Sequence, residues 1–208
     1  MVRSGGPLAD SIRSRAASFG GARTPQWKAA KTHRSVKPAP SIIIDSREQC
    51  PLDFPNLPTT VGTLTTGDYS IIGLEHLIAV ERKSIDDLLG CVGRGRVRFK
   101  AELQRLRAYR FRLLVVEASA SDVEAGLSGG VPWRSSLKPA HVVGSLAAWC
   151  AQFGLPIWLA GDHAGAGRFV ERYLFQCART VATEHEAASA FLGISAGEPF
   201  ELPLAATA

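Results

Sequence analysis

Gly67-Asp68-Tyr69, followed by Glu81-Arg82-Lys83 and then Asp86-Asp87, sets carboxylates and a lysine at spacings suited to chemistry on a phosphodiester. The apolar run Leu77-Ile78-Ala79-Val80 leads into the triplet and predicts a buried strand, whose side chains alternate between faces. Glu81 and Lys83 then share one face and Arg82 takes the other. Asp68 comes from the preceding turn as a second carboxylate. Acids packed this closely repel, and one takes up a proton unless a cation sits between them. Mg2+, with Mn2+ as a substitute, supplies that cation. Both prefer oxygen ligands, and magnesium keeps several waters and needs only one or two protein carboxylates. Asp68 and Glu81 suffice, and Asp45, at the end of Ser41-Ile42-Ile43-Ile44, is placed as a third ligand. Such an ion polarises a phosphate and acidifies a bound water, while Lys83 orients the attacking hydroxide or offsets charge on the pentavalent transition state.

The elements that must hold these groups follow from apolar patterning. A strand is predicted over 41–45, a Pro-rich loop over 51–58, a strand over 60–65, a turn at Gly67, and strands through Ile71 and Val80. Helices are predicted from Ser84 to Tyr109, then a strand over 112–117, a helix, a short buried strand at Leu155–Leu159 and an amphipathic helix from Gly165 to Arg179. Val142–Phe153 is almost wholly apolar or small, which predicts a central helix or half of a dimer interface. Alternation of this kind predicts an α/β sheet with helices on both sides. No internal repeat is visible.

Asp45-Ser46-Arg47-Glu48, Gly67-Asp68-Tyr69 and Glu81-Arg82-Lys83 with Asp87 resemble, in order, the D-x-R-E, G-D-Y and E-R-K-x-x-x-D elements of the XPF-type (xeroderma pigmentosum group F) nuclease domain. The likeness continues through Leu88-Leu89-Gly90, Arg98-Phe99 and Leu113–Glu117, covering residues 41 to 180. It implies a restriction-endonuclease-like α/β fold, with a central mixed sheet flanked by helices on both sides. It further implies a metal-dependent endonuclease for branched, flapped or forked DNA that leaves 5′-phosphate and 3′-hydroxyl ends. Carried over by position, Asp45, Asp68 and Glu81 are metal ligands and Lys83 is the water-orienting base. Arg82, Asp87, Arg47 and Glu48 support them, with Arg82 expected to ion-pair with Asp87 or Glu48.

The chain departs from that pattern where relatives carry a tandem helix-hairpin-helix module, because only Thr180–Ala208 follows Arg179. A stand-alone domain is therefore expected, divided as a basic leader (1–40), nuclease domain (41–182) and C-terminal helix remnant with tail (183–208). The resemblance implies homodimerisation and a separate DNA-binding partner. The position that often carries glutamine in the family is Glu102, expected to face solvent rather than to add an acid to the site. The other reading of the chain is a catalytically silent DNA-binding or scaffold subunit of a repair or recombination complex. The full set Asp45, Asp68, Glu81 and Lys83 favours activity.

At 208 residues and 46% apolar content the chain can bury a sizeable core, and one domain accounts for it. Residues 1–38 hold eight Lys/Arg against Asp10 alone, so the net charge of +5 originates in a Gly/Ser/Ala/Pro-rich leader. This leader reads as a disordered arm, equally suited to attracting DNA phosphates or to being a bare solvated tail. Trp27 either stacks on a base or docks on the domain, and docking is favoured. A second basic concentration, Arg94, Arg96, Arg98, Lys100, Arg105, Arg107, Arg110 and Arg112, begins beside the proposed site and predicts DNA contact. Arg134, in the loop 129–136, either clamps a phosphate or simply flanks a helix start capped by Ser136. His141 and His163 lack partners at ligand spacing and are expected to be ordinary. The four cysteines match no zinc or disulfide framework and read as reduced core thiols. With no membrane span predicted, the expected location is cytoplasmic and nucleoid-associated in a bacterium or phage, nuclear in a eukaryote.

Overall fold

The computed structural model describes residues 39–193, so the expected leader up to residue 38, with Trp27, and the tail from 194 lie outside the described residues. Six strands form one mixed sheet in the order β2-β1-β3-β4-β5-β8. They are β1 (Ile42–Asp45), β2 (Thr59–Gly62), β3 (Tyr69–Ile71), β4 (Ile78–Ser84), β5 (Phe111–Glu117) and β8 (Ile157–Leu159). β3 runs antiparallel to both β1 and β4, while β1–β2, β4–β5 and β5–β8 are parallel. That pattern brings the start of β3 to the ends of β1 and β4.

Period-two patterning of β4 and β5 divides the core. Ala79, Leu114 and Val116 face α1 (Ile85–Val92), α2 (Arg96–Leu106), α3 (Ala120–Ala125) and α4 (Pro139–Phe153), where Phe99 and Trp149 meet edge to face at 5.0 Å. Ile78, Val80, Leu113 and Val115 face α5 (His163–Leu192), together with Tyr69, Val170 and Leu174. Each such aliphatic side chain, once buried, stabilises the fold by about 1.5–3 kcal/mol. Local signals set the helix ends. Ser84, Ser119 and Asp162 accept from backbone N–H groups at the starts of α1, α3 and α5. Gly126 and Gly154 take left-handed conformations after α3 and α4. Buried Glu171 of α5 ties down the Pro-rich loop, accepting from the N–H groups of Asn56 (2.7 Å) and Leu57 (3.0 Å) and from Asn56 Nδ2 (2.7 Å).

Several expectations need correction. α4 does not meet the first of its two expectations, a central helix, since one face is exposed. It buries Val142, Leu146, Trp149 and Phe153 and leaves Val143 39% exposed, because its apolar count comes largely from Ala, Gly and Cys, whose exposure costs little. β8 is an edge strand rather than a buried one, with Trp158 exposed and stacked at 4.1 Å on Phe169. α5 runs past Arg179, the expected helix end, to Leu192. Apolar periodicity fades after Arg179, but an Ala- and Glu-rich stretch of good helix formers carries the helix on, tied to the domain by a two-pronged Arg110–Glu184 pair at 2.5 and 2.6 Å. Cys91 and Cys177 are buried as expected, whereas Cys50 and Cys150 are exposed. No described helix is long and apolar enough to cross a membrane.

Candidate active site

The acids come together because three strand ends meet. The Asp45 N–H donates to the carbonyl of Asp68 (2.8 Å), and the Asp68 N–H donates to the carbonyl of Val80 (2.7 Å), which locks the turn before β3 between β1 and β4. Gly67 makes that turn at φ +80°, where an added Cβ would sit 2.9 Å from the Val80 carbonyl oxygen. Any side chain there would strain the backbone and push Asp68 away from β4.

Glu81 is buried, and Asp68 lies half-buried beside it. An Asp68 side-chain oxygen accepts from the Arg82 N–H at 2.7 Å. Burial, and then the Glu81 carboxylate beside it, push the Asp68 carboxyl up to about 7. Burial likewise raises Glu81. Lys83, on the same face of β4, donates to Glu81 Oε1 at 2.5 Å and lies 5.5 Å from the centre of the Phe99 ring. Burial alone would lower the lysine, but Glu81 and Asp68 hold it well above its ordinary value, so it stays an ammonium at neutral pH. The half-buried Asp68 and buried Glu81, both with raised pKa values and with one lysine paired to Glu81, are short of positive charge. An oxygen-loving divalent cation would relieve that shortage.

Asp45 stands beside this pair with both oxygens engaged. Oδ1 accepts from the Arg47 N–H (2.9 Å) and Nε (2.7 Å), and Oδ2 from Arg47 Nη2 (2.9 Å) and the Leu64 N–H (2.7 Å). The Arg47 guanidinium holds its carboxyl down at about 2. Among the described residues, no three His, Cys, Asp or Glu side chains group as a metal-binding set. In this conformation Asp45 braces the loop to Leu64, and Arg47, 68% exposed at its side chain, shields it.

On the other face of β4, Arg82 Nε donates to Glu117 Oε1 at 2.7 Å, and Nη1 reaches Glu48 at 3.5 Å. The expected pairing with Glu48 is thus the weaker contact, and the pairing with Asp87 is replaced by one with Glu117. Asp87 instead closes the start of α1, accepting from Ser84 Oγ at 2.7 Å while its own N–H returns to that oxygen. His163, expected to be ordinary, meets Glu117 Oε1 through Nδ1 at 2.6 Å. Arg82→Met would leave Glu48 without its cation and Glu117 with only the His163 imidazole, and we expect a loss of about 3–5 kcal/mol in urea unfolding. Unchanged stability with lost activity would instead place Arg82 in the chemistry.

Over these acids opens a cleft of about 720 Å³ whose wall includes Arg94, Arg98 and Arg105. Glu102 also lines it, 3.7 Å from Arg98, with its side chain partly exposed. It lies one helical turn after Arg98, a spacing visible in sequence, but only the docking of α2 turns both toward β4. Arg96 points away and donates to Ser145 Oγ of α4 at 2.8 Å. Lys100 lies outside the cleft wall, and Arg134 lines a neighbouring groove.

A mixed α/β sheet with helices on both faces, with acids and a lysine where adjacent strands end, is a restriction-endonuclease-like architecture. The ERCC4 domain matches residues 44–173, and the chain belongs to that family of structure-specific nucleases. Among solved structures it is similar to XPF from Aeropyrum pernix in complex with DNA, with TM-score 0.52 and 21% identity over 68% of this chain and 66% of that one. A second structure of XPF from Aeropyrum pernix gives TM-score 0.52 and 19% identity over 80% of this chain and 69% of that one. The chain thus spans just under two thirds of the first of these archaeal chains, and at such identities the likeness is one of fold. No curated protein sequence matches the chain.

Proposed function

We propose that this chain is a divalent-metal-dependent endonuclease that hydrolyses phosphodiester bonds in branched, flapped or forked DNA and leaves 5′-phosphate and 3′-hydroxyl ends. The observation that carries this reading is the Asp68–Glu81 pair beside the Lys83 ammonium, lining a cleft whose wall also holds Arg94, Arg98 and Arg105. Oxygens of Asp68 and Glu81 would hold Mg2+ or Mn2+, which when bound supplies polarisation of the scissile phosphate and a more acidic water. Lys83 is protonated, so its part is to donate a hydrogen bond to the reacting oxygens and offset their developing charge rather than to remove a proton. Asp45 joins the ligand set if Arg47 swings out to solvent. Arg94 and Arg98 hold the flanking backbone through their phosphates. The XPF complex with DNA from Aeropyrum pernix supports DNA as the occupant of the cleft.

Cleavage of end-labelled flap, fork, four-way junction and plain duplex DNA, by wild type and Glu81→Gln in magnesium, manganese or chelator, tests the reading. Cutting of branched substrates is expected to need both the metal and Glu81. Binding of every substrate without cutting of any would replace this reading with that of a silent DNA-binding subunit.

A further inference from the structure

A second groove of about 810 Å³ lies beside the catalytic cleft and shares Asp86, Gly90 and Arg94 with it. Its far wall is built by a hairpin, β6 (Leu127–Ser128) and β7 (Val131–Pro132), and by the chain that follows it. The hairpin turns on Gly129 (φ 55°) and Gly130 (φ 81°), a two-residue loop with both central residues left-handed, which matches the twist of a tight β-ribbon. The Trp133 indole N–H donates to the Leu137 carbonyl at 3.2 Å, which fixes the ring in the wall. Val131 is 62% exposed beside it.

The groove combines two chemistries. Arg94 and Arg134 line it, neither has an ion-pair or hydrogen-bond partner among the described residues, and Asp86 is the one carboxylate in the wall. Leu89, Val131, Pro132, Trp133 and Leu137 give the same groove an apolar share, alongside Ser128, Ser135 and Ser136. Intact duplex DNA offers a protein mainly phosphates, because its base faces are stacked inward, and so gives an apolar wall nothing to bind. An unpaired strand offers phosphates and base faces together, the combination that single-strand sites take up with cationic and aromatic or apolar side chains.

We propose that this second groove holds the unpaired strand of a branched DNA substrate, with Arg94 carrying the backbone from one groove into the other. The assignment of DNA as the ligand rests on the nuclease reading. The groove reads whether a single strand leaves the duplex beside the scissile phosphate, so this domain contributes to substrate choice by itself.

Fluorescence anisotropy in chelator, where nothing is cut, tests the inference with an oligo-dT strand and a blunt duplex of equal charge. Arg134→Ala and Val131→Glu alter exposed side chains, and thermal melting of each checks the fold. Each is expected to weaken oligo-dT binding about tenfold, the worth of one stacked base or phosphate contact, and duplex binding far less. Arg134→Ala is also expected to lower the salt slope for oligo-dT by about 0.7. Equal losses on both DNAs would show a general phosphate surface, and no loss on either would show an empty groove. Each of these would overturn the inference. Wild type that binds oligo-dT through this groove yet cuts nothing leaves the inference standing and removes the nuclease reading. Variants that cut flaps and nicked duplex in the wild-type ratio remove the inference alone.

Discussion

Asp68→Asn is expected to stop cleavage and, in chelator at pH 8, to raise the melting temperature. The loss of cleavage is on the order of 10³-fold or more, since several kcal/mol of charge stabilisation depart with the cation site. The gain in stability follows from the acid's environment. Burial and Glu81 raise the folded-state value of Asp68 from 3.8 to about 7, so the fold prefers the carboxyl protonated. Below about pH 4 the carboxyl is protonated in both folded and unfolded chains and costs nothing. As pH rises from the unfolded value through about 7, folding must either retain a proton or bury a charge, and stability falls. A tenfold difference in proton affinity between the folded and unfolded chains is worth about 1.4 kcal/mol, and sharing of charge with Glu81 brings the expected gain to about 1–3 kcal/mol. Asparagine keeps an oxygen to accept from the Arg82 N–H, so the turn is preserved. Magnesium is expected to reverse the order, stabilising wild type and leaving the variant unmoved. Melting curves at pH 4 and pH 8, with chelator and with magnesium, check this. Equal melting temperatures in all four conditions would show that Asp68 carries no buried charge and holds no cation.

Lys83→Met is expected to act on stability in the opposite direction. The ammonium pairs with Glu81 and also acts on Asp68, and its removal leaves the two acids with only the more distant Arg47 to offset them. Partial relief through protonation limits the cost, and we expect about 2–4 kcal/mol in chelator at pH 8, shrinking as the pH falls. Methionine keeps an unbranched stem of similar length and removes only the ammonium, which lies over the Phe99 ring, so the loss reflects charge rather than packing. Magnesium is expected to restore much of the stability, because a cation again sits among the acids, without restoring cleavage. Loss of the hydrogen-bond donor to the reacting oxygens costs about 10²–10³-fold in single-turnover rate. Urea unfolding and single-turnover cleavage on the same samples separate the two effects. A variant destabilised to the same extent at pH 5 and pH 8 would show that Lys83 serves packing alone.

These two residues were legible in sequence because their placement is local. In β4 the period of two puts Glu81 and Lys83 on one face and Arg82 on the other, and the apolar run before them fixes which strand this is. Gly67 and the following Asp68 are legible for a similar reason, since only glycine tolerates the backbone conformation that brings the turn against Val80. The α/β layering also follows from short-range patterns.

What the sequence could not supply depends on register and docking. Glu117 becomes the partner of Arg82 because β4 and β5 pair in parallel with Lys83 opposite Val116, an alignment no local pattern encodes. His163 joins them only because α5 begins beside that strand end, more than forty residues further along the chain. Arg96 and Arg98 stand two residues apart in one basic run. The packing of α2 against α4 gives Arg96 to Ser145, while the same helix turns Arg98 and Glu102 into the cleft. Asp45 shows the same division. Its position at the end of β1 was visible in sequence, but its engagement by Arg47 and by the Leu64 N–H was not. By itself the sequence determined which side chains can do chemistry and which strand face presents them, because alternation along a chain is a property of the chain. The tertiary structure alone decided which charges are neutralised and which remain free to meet a phosphate, because ion pairs form across elements whose distance is set only when the sheet closes and the helices dock.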